Sequence, residues 1–194
     1  MLTNELVLPR LVLAGVPPLE ARSRSMTLPP DEDLVVSAQN GDREAFSRLY
    51  AGFAPMVHGI LLARVPRDEV DDLLQDVFLT AMKRLGSLRD PRAFGAWLAT
   101  VTRNRANDYH RAPHASQLPD QIPSPRPVET EAWFVLQAIR NLPEAYQDTL
   151  TLRLVEGMSG PEISARTGLT EGSVRVNLHR GMVMLREALA KKAV

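Results

Sequence analysis

The sequence predicts an all-α fold, two small helical domains joined by a Pro-rich linker, the second containing a helix-turn-helix. Three observations predict it. Apolar residues recur at intervals of three to four from Asp31 to Arg111 and again from Thr130 onward, and no stretch alternates with the period of two that a half-buried strand requires. Between those segments Pro113, Pro119, Pro123, Pro125 and Pro127 fall in a stretch of little apolar content, which marks an extended linker at 113–128. Near the end of the chain, SGPEISARTGLTEGSVRVNLHRGMVMLR from Ser159 carries the punctuation of helix, tight turn and helix.

Taken in order, residues 1–30 are apolar in patches but hold Pro9, Pro17, Pro18, Pro29 and Pro30, with Glu5 where a signal peptide would carry only positive charge. They are expected to be a disordered or misassigned extension, with Met26 placed where a start would suit the sequence that follows. Asp31 begins a short helix stopped by Gly41. Asp42 caps a longer one bearing Phe46, Leu49, Tyr50, Phe53, Val57, Ile60 and Leu61, with a kink expected at Pro55. After Pro66, a helix from about Asp68 to Leu85 buries Leu73, Val77, Phe78, Ala81 and Leu85. Its acids Asp68, Glu69, Asp71 and Asp72 sit at the N-terminal end, where the helix dipole favours them. Gly86 ends it. The helix from Pro91 to about Arg111 turns Phe94, Trp97, Leu98, Val101 and Tyr109 inward, while Thr100, Arg103, Asn104, Asn107 and Arg111 share one polar, basic face. The first domain therefore spans 31–112.

The second domain, 129–194, opens with a helix over 130–140 carrying Trp133, Phe134, Leu136 and Ile139, turns at Asn141 to Pro143, and continues to Glu156 with Tyr146, Leu150, Leu154 and Val155 inward. Ser159 and Glu162 then make a capping box, Pro161 suits a first helical turn, and Gly168 supplies a left-handed stop after Thr167. Thr170 caps a second helix with an apolar stripe of Val174, Leu178, Gly181, Leu185 and Leu189, off which stand Arg175, His179, Arg180 and Arg186. One face packs and the other is basic, which is how a helix-turn-helix reads a major groove.

Composition excludes other classes. The chain of 194 residues has 44% hydrophobic and 24% charged residues, as a soluble globular protein does, and no apolar run approaches the roughly 20 residues of a membrane-spanning helix. No membrane insertion and a cytoplasmic location are expected. The absence of cysteine removes disulfides, thiol catalysis and Cys-based zinc sites. His58, His110, His114 and His179 lack a paired ligand spacing, so solvated or groove-facing roles are expected and no metal. Without a phosphate loop, nucleophile elbow or apolar carboxylate pair, neither a catalytic site nor a cofactor is expected. Basic and acidic residues number 23 each, so the whole chain has no electrostatic reason to hold duplex DNA tightly by itself. The charge lies in blocks, however: acidic at Asp68, Glu69, Asp71, Asp72 and Asp76, then basic at Lys83, Arg84, Arg89, Arg92, Arg103, Arg105 and Arg111. Such a sign change suggests two different partners.

With these segments in place, the sequence resembles the extracytoplasmic-function group of bacterial sigma factors from about Asp33 to Leu189. DREAFSRLY, DDLLQDVFLTAMKRL and FGAWLATVTRNRANDYHR are similar to conserved region 2, and NLPEAYQDTLTLRLVEGMSGPEISARTGLTEGSVRVNLHRGMVMLREAL to region 4. The resemblance implies that region 2 (31–112) binds the polymerase clamp and melts the −10 element, holding flipped bases, and that region 4 (129–194) reads the −35 element and meets the flap. It places Asp72, Leu73, Gln75, Asp76 and Phe78 on the polymerase-binding helix, with Leu73 and Phe78 equally suited to a core. Arg84, Leu88, Arg89 and Asn104, with the loop 88–94, are placed against the −10 strand, and Arg175, Val176, His179 and Arg180 against the −35 duplex. Core RNA polymerase, promoter DNA and an anti-sigma factor are the implied partners. Asn177, Met182 and Arg84 depart from the family's usual residues, so promoter sequence does not transfer from it.

The reading that follows is a dissociable polymerase specificity subunit without catalysis of its own. Its alternative is an autonomous helix-turn-helix regulator with an N-terminal helical sensor domain. A small helical enzyme is a third reading, with no constellation of catalytic residues behind it.

Overall fold

Asp42 starts the helix against which most of the other described helices pack. Its carboxylate accepts from the backbone N–H of Glu44 at 2.8 Å and of Ala45 at 3.1 Å, which satisfies two of the donors a helix start leaves open. The computed structural model describes residues 31–112 and 131–192, and eight α-helices and no strand occur among them. α1 (Asp31–Gln39) ends before Gly41, whose φ of +94° makes the turn into α2 (Arg43–Leu62). The expected break at Pro55 does not end α2, which continues through it. Proline there removes one bond to the carbonyl four residues back, and Ala51 is exposed, so that carbonyl can be solvated.

A short 3₁₀ turn, Arg67–Glu69, leads into α3 (Val70–Arg84), and another, Leu85–Ser87, closes it. Asp90 caps a third, Pro91–Ala93, by accepting from the Arg92 N–H at 3.0 Å, and α4 (Phe94–Arg111) follows. α1 to α4 enclose Leu49, Phe53, Met56, Val57, Ile60, Val77, Phe94 and Leu98, all at most 2% exposed. Phe53 and Phe94 meet edge to face at 4.9 Å. Leu73, Val77, Phe78, Ala81 and Leu85 are buried as their spacing predicts.

α5 (Glu131–Arg140), α6 (Glu144–Leu154), α7 (Gly160–Thr167) and α8 (Glu171–Lys192) make the second half. It has a small cluster of its own around Ile139, Leu142, Leu150 and Leu185. The sequence predicts two separate cores, but Leu136, Leu152, Ile163 and Val174 of the second half are buried in one cluster with the core of the first. The cause is α6, which packs against α2, α5, α7 and α8 together. Hence Asp148, Thr149 and Thr151 are buried beside Leu150 and Leu152, and no single apolar stripe marks the helix in the sequence.

Two glycines let the halves approach. A Cβ on Gly59 of α2 would meet Leu152 and Glu156, and one on Gly95 of α4 would land on the backbone carbonyl of Arg166 and against Phe53. Polar groups cross the same seam. Asp148 takes Arg64 at 3.0 Å and Arg103 at 2.9 Å on its two carboxylate oxygens, and Glu144 takes Arg64 at 2.9 Å. His58 lies half-buried with Nδ1 2.6 Å from the Glu156 carboxylate, within hydrogen-bond distance, where the sequence suggested a solvated or groove-facing ring. Arg140 donates to the carbonyls of Leu62 and Val65 at the end of α2, and its burial lowers its pKa from the ordinary guanidinium value. Residues 1–30 and the linker 113–128 lie outside the described residues, as does His114.

Candidate nucleic-acid interface

Ser159 and Glu162 form the capping box in full: the Ser159 hydroxyl accepts from the Glu162 N–H, and the Glu162 carboxylate accepts from the Ser159 N–H at 2.7 Å. Hydrogen bonding to the carboxylate from the Ser159 side chain and backbone N–H holds the Glu162 carboxyl below its ordinary range. Gly168, at φ +73°, ends α7, and Thr170 Oγ1 accepts from the Ser173 N–H at 3.1 Å to start α8. Ser164 donates to the Leu169 carbonyl at 2.6 Å across the turn, fixing the angle between the two helices. Val174, Gly181 and Leu185 are buried along one side of α8. Arg175, Val176, His179 and Arg180 are exposed on the opposite side, Val176 at 45%. An exposed basic face on the second helix of such a pair is what groove entry requires.

On α3 the outward residues are Asp72, Gln75, Leu79 and Met82, with Asp76 partly covered by its ion pair to Arg105 of α4. Leu73 and Phe78 are each only 4% exposed, and Phe78 stacks against Tyr50 at 4.4 Å. Of the two places open to these residues, contact or core, both are in the core. Sequence reasoning missed Leu79 and Met82, exposed at 55% and 53%. Their signal was available, since both fall on the solvent side of the stripe that buries Val77, Phe78 and Ala81.

The polar face of α4 is open where the spacing places it: Thr100, Asn104, Asn107 and Arg111 are exposed. Arg103 is 30% exposed and engaged by Asp148. Arg84 and Arg89 are exposed and Leu88 half-buried at the turn between α3 and α4. Phe94, where α4 begins, and Asn104 stand about 15 Å apart along the helix axis at 1.5 Å per residue. Gln39 of α1 bonds to the turn, beside the turn's own bonds from the Leu88 N–H to the Leu85 carbonyl and from the Ser87 hydroxyl to the Arg84 carbonyl. The basic block is only partly free, since Arg92 pairs with Glu32, Arg105 with Asp76 and Arg103 with Asp148. A cleft of about 380 Å³ lies where the halves meet, lined by Arg64, Arg103, Glu144, Asp148, Leu169 and Asn177. No group of His, Asp or Glu side chains able to hold a metal occurs among the described residues.

Comparison with known families matches residues 49–114 to Sigma-70 region 2 and residues 135–185 to Sigma-70, region 4. The chain belongs to the RNA polymerase sigma factors. Among its relatives the sigma factor CarQ of Myxococcus xanthus is 33% identical over 164 residues, covering 79% of this chain and 94% of that one. The ECF sigma-E factor of Escherichia coli K12 is 30% identical over 182 residues, covering 84% and 93%. Such relatives place this sigma factor in the extracytoplasmic-function group. A solved structure of CnrH in complex with the cytosolic domain of CnrY is 27% identical and superposes with a TM-score of 0.59, covering 84% of this chain and 99% of that one. RpoE of Bartonella quintana, solved with the anti-sigma factor NepR, is 19% identical with a TM-score of 0.50 and shares the fold. The first half of this sigma factor is thus region 2, and the N-terminal sensor domain of the alternative reading is set aside.

Proposed function

We propose that this sigma factor divides promoter recognition between the two surfaces described above. As a sigma factor it is an initiation factor and not an enzyme: it binds core RNA polymerase, recognises the −10 and −35 elements and promotes transcription initiation. In our reading Arg175, Val176, His179 and Arg180 read the −35 duplex. Asn104, Arg84, Leu88 and Arg89 handle the −10 strand. Asp72, Gln75 and Asp76, joined by Leu79 and Met82, dock on the polymerase clamp, and region 4 meets the flap. The observation that carries this reading is the two-faced character of α8, apolar and buried on one side and basic and open on the other. Work on a chromosomal promoter goes with a cytoplasmic location, and among the described residues no helix is long and apolar enough to cross a membrane. Likeness to CnrH, solved with CnrY, supports an anti-sigma partner of the same kind.

The two surfaces separate experimentally in reconstituted holoenzyme. Asn104 is exposed and its amide offers both donors and acceptors to an unpaired base. Asn104→Ala should lower permanganate reactivity of promoter thymines while closed binding holds. Arg175→Ala should weaken closed binding, by about 1–3 kcal/mol if the arginine makes a bidentate base contact. Equal loss of closed binding from both substitutions would defeat the division of labour.

A further inference from the structure

The turn that carries Leu88 and Arg89 is gripped from α1. Gln39, the last residue of α1, donates through Nε2 to the Leu85 carbonyl at 3.0 Å and to the Leu88 carbonyl at 2.8 Å. A carboxamide nitrogen has two hydrogens, and here each carbonyl takes one. These carbonyls bracket the 3₁₀ turn Leu85–Ser87 that follows α3, and the Leu85 carbonyl also accepts from the Leu88 N–H at 3.0 Å. The far side of the loop is held by the same helix, since Glu32 of α1 pairs with Arg92 at 3.1 Å. Asp90 caps the next turn at 3.0 Å, and Phe94, 1% exposed, anchors the end of the loop in the core. Between these fixed points the side chains of Arg89 and Asp90 stand exposed and that of Leu88 is half-buried.

We propose that Gln39 is a positioning residue for base selection in the −10 element, setting the place of the Leu88 and Arg89 backbone from α1. The inference rests on the assignment of this loop to the −10 strand made above. A flipped base is recognised by groups held in place before it arrives, and a loop free to move would have to be ordered at the expense of binding. The backbone at Leu88 is tied by Gln39 across 49 residues of sequence, so tertiary structure adds to the local bond from the Leu88 N–H to the Leu85 carbonyl in setting its position.

Gln39→Met keeps the length of the side chain and removes both donors. The test uses holoenzyme reconstituted with core polymerase and promoters carrying 2-aminopurine at each non-template position of the −10 element in turn. Open-complex formation is compared on the preferred base and on its substitutes. Gln39→Met should lower both the fluorescence of the flipped position and the preference for its base, the latter by about tenfold, the size of one good base contact. Affinity for core polymerase and for −35 duplex should be unchanged. Arg89→Ala and Leu88→Ala run alongside. If those loop variants change base preference and Gln39→Met does not, the positioning role is overturned while the loop assignment stands. If neither loop variant changes it, the loop assignment itself fails. A uniform fall of Gln39→Met on every promoter, with preference intact, would mark Gln39 as a support of the fold alone and also overturn the proposal.

Discussion

Arg103 on α4 and Asp148 on α6 lie 2.9 Å apart, Nε to Oδ2, joining the last helix of region 2 to the central helix of region 4. The other oxygen of the same carboxylate takes Arg64 at 3.0 Å, and the side chains of Asp148 and Arg64 are only 8% and 9% exposed. Desolvating three charges offsets most of their attraction, so such a cluster adds little net stability over an apolar seam, yet losing its centre is costly. Asp148→Asn leaves an amide between two guanidinium groups and should cost about 1.5–3 kcal/mol, as for a hydrogen bond to a charged partner. At about 2–4 °C per kcal/mol the thermal midpoint should fall by several degrees. An unchanged midpoint with an unchanged radius of gyration would mean that the cluster does not hold the halves together.

Gly95 offers a cleaner way to part them. A methyl group there would overlap the Arg166 carbonyl of α7, a backbone atom that cannot rotate away. Within α4 itself the change favours the helix, because alanine is better than glycine in a helix interior by about 0.5–1 kcal/mol. Gly95→Ala should therefore increase the radius of gyration in small-angle scattering while amide protection in α2 and α3 is retained. A compact particle with ordinary protection at α7 would show that the seam repacks around the methyl group.

Leu79 and Met82 separate docking from folding on one helix. Glutamate at both positions should abolish association with core polymerase in a pull-down, with far-UV circular dichroism and melting unchanged, since both side chains are more than half exposed. Phe78→Ala on the same helix should instead destabilise region 2 by about 3–5 kcal/mol, the usual cost of emptying a buried aromatic site. Should the double glutamate variant bind core enzyme normally, this face of α3 is not the docking surface.

Acid should loosen α7 before the rest of region 4. The folded pKa of Glu162 is depressed by its bonds from Ser159, so its contribution is fully present above the unfolded value of 4.5 and is lost as pH falls through the folded one. Hydrogen exchange at the first amides of α7 should accelerate over that window relative to those of α6. Glutamine also completes a capping box, so Glu162→Gln should keep the cap and remove the pH dependence. Parallel acceleration in wild type and variant would place the acid sensitivity elsewhere.

Caps and periodicity made much of this fold readable. Asp42, the Ser159 and Glu162 pair, Gly168 and Thr170 act on neighbours within a few residues, so their sequence spacing already contains the geometry. The outward basic side of α8 and the open polar side of α4 follow from helical spacing in the same way. What could not be read depends on distant partners. Asp148 stands 84 residues from Arg64 and 45 from Arg103, and Gln39 stands 46 from Leu85. Local composition holds no trace of such pairs. Leu73 and Phe78 were ambiguous for a related reason: a helix covered on one side and docked on the other needs apolar residues on both, and periodicity alone does not say which set is which.

The seam also has a consequence for affinity. The −35 and −10 elements are named for positions roughly 25 base pairs apart, or about 85 Å at the rise of duplex DNA. Asn177 of α8, proposed above to read the −35 element, and Arg103 of α4, the helix proposed to handle the −10 strand, line one 380 Å³ cleft. One conformer cannot span that distance with its two readers side by side, so engaging both elements draws on the open fraction of the population. Apparent affinity is then the intrinsic affinity multiplied by that fraction, and each 1.4 kcal/mol by which closure is favoured weakens promoter binding about tenfold. A polymerase that binds the two regions at separate sites removes this conformational tax, and contributes to promoter affinity without touching a base.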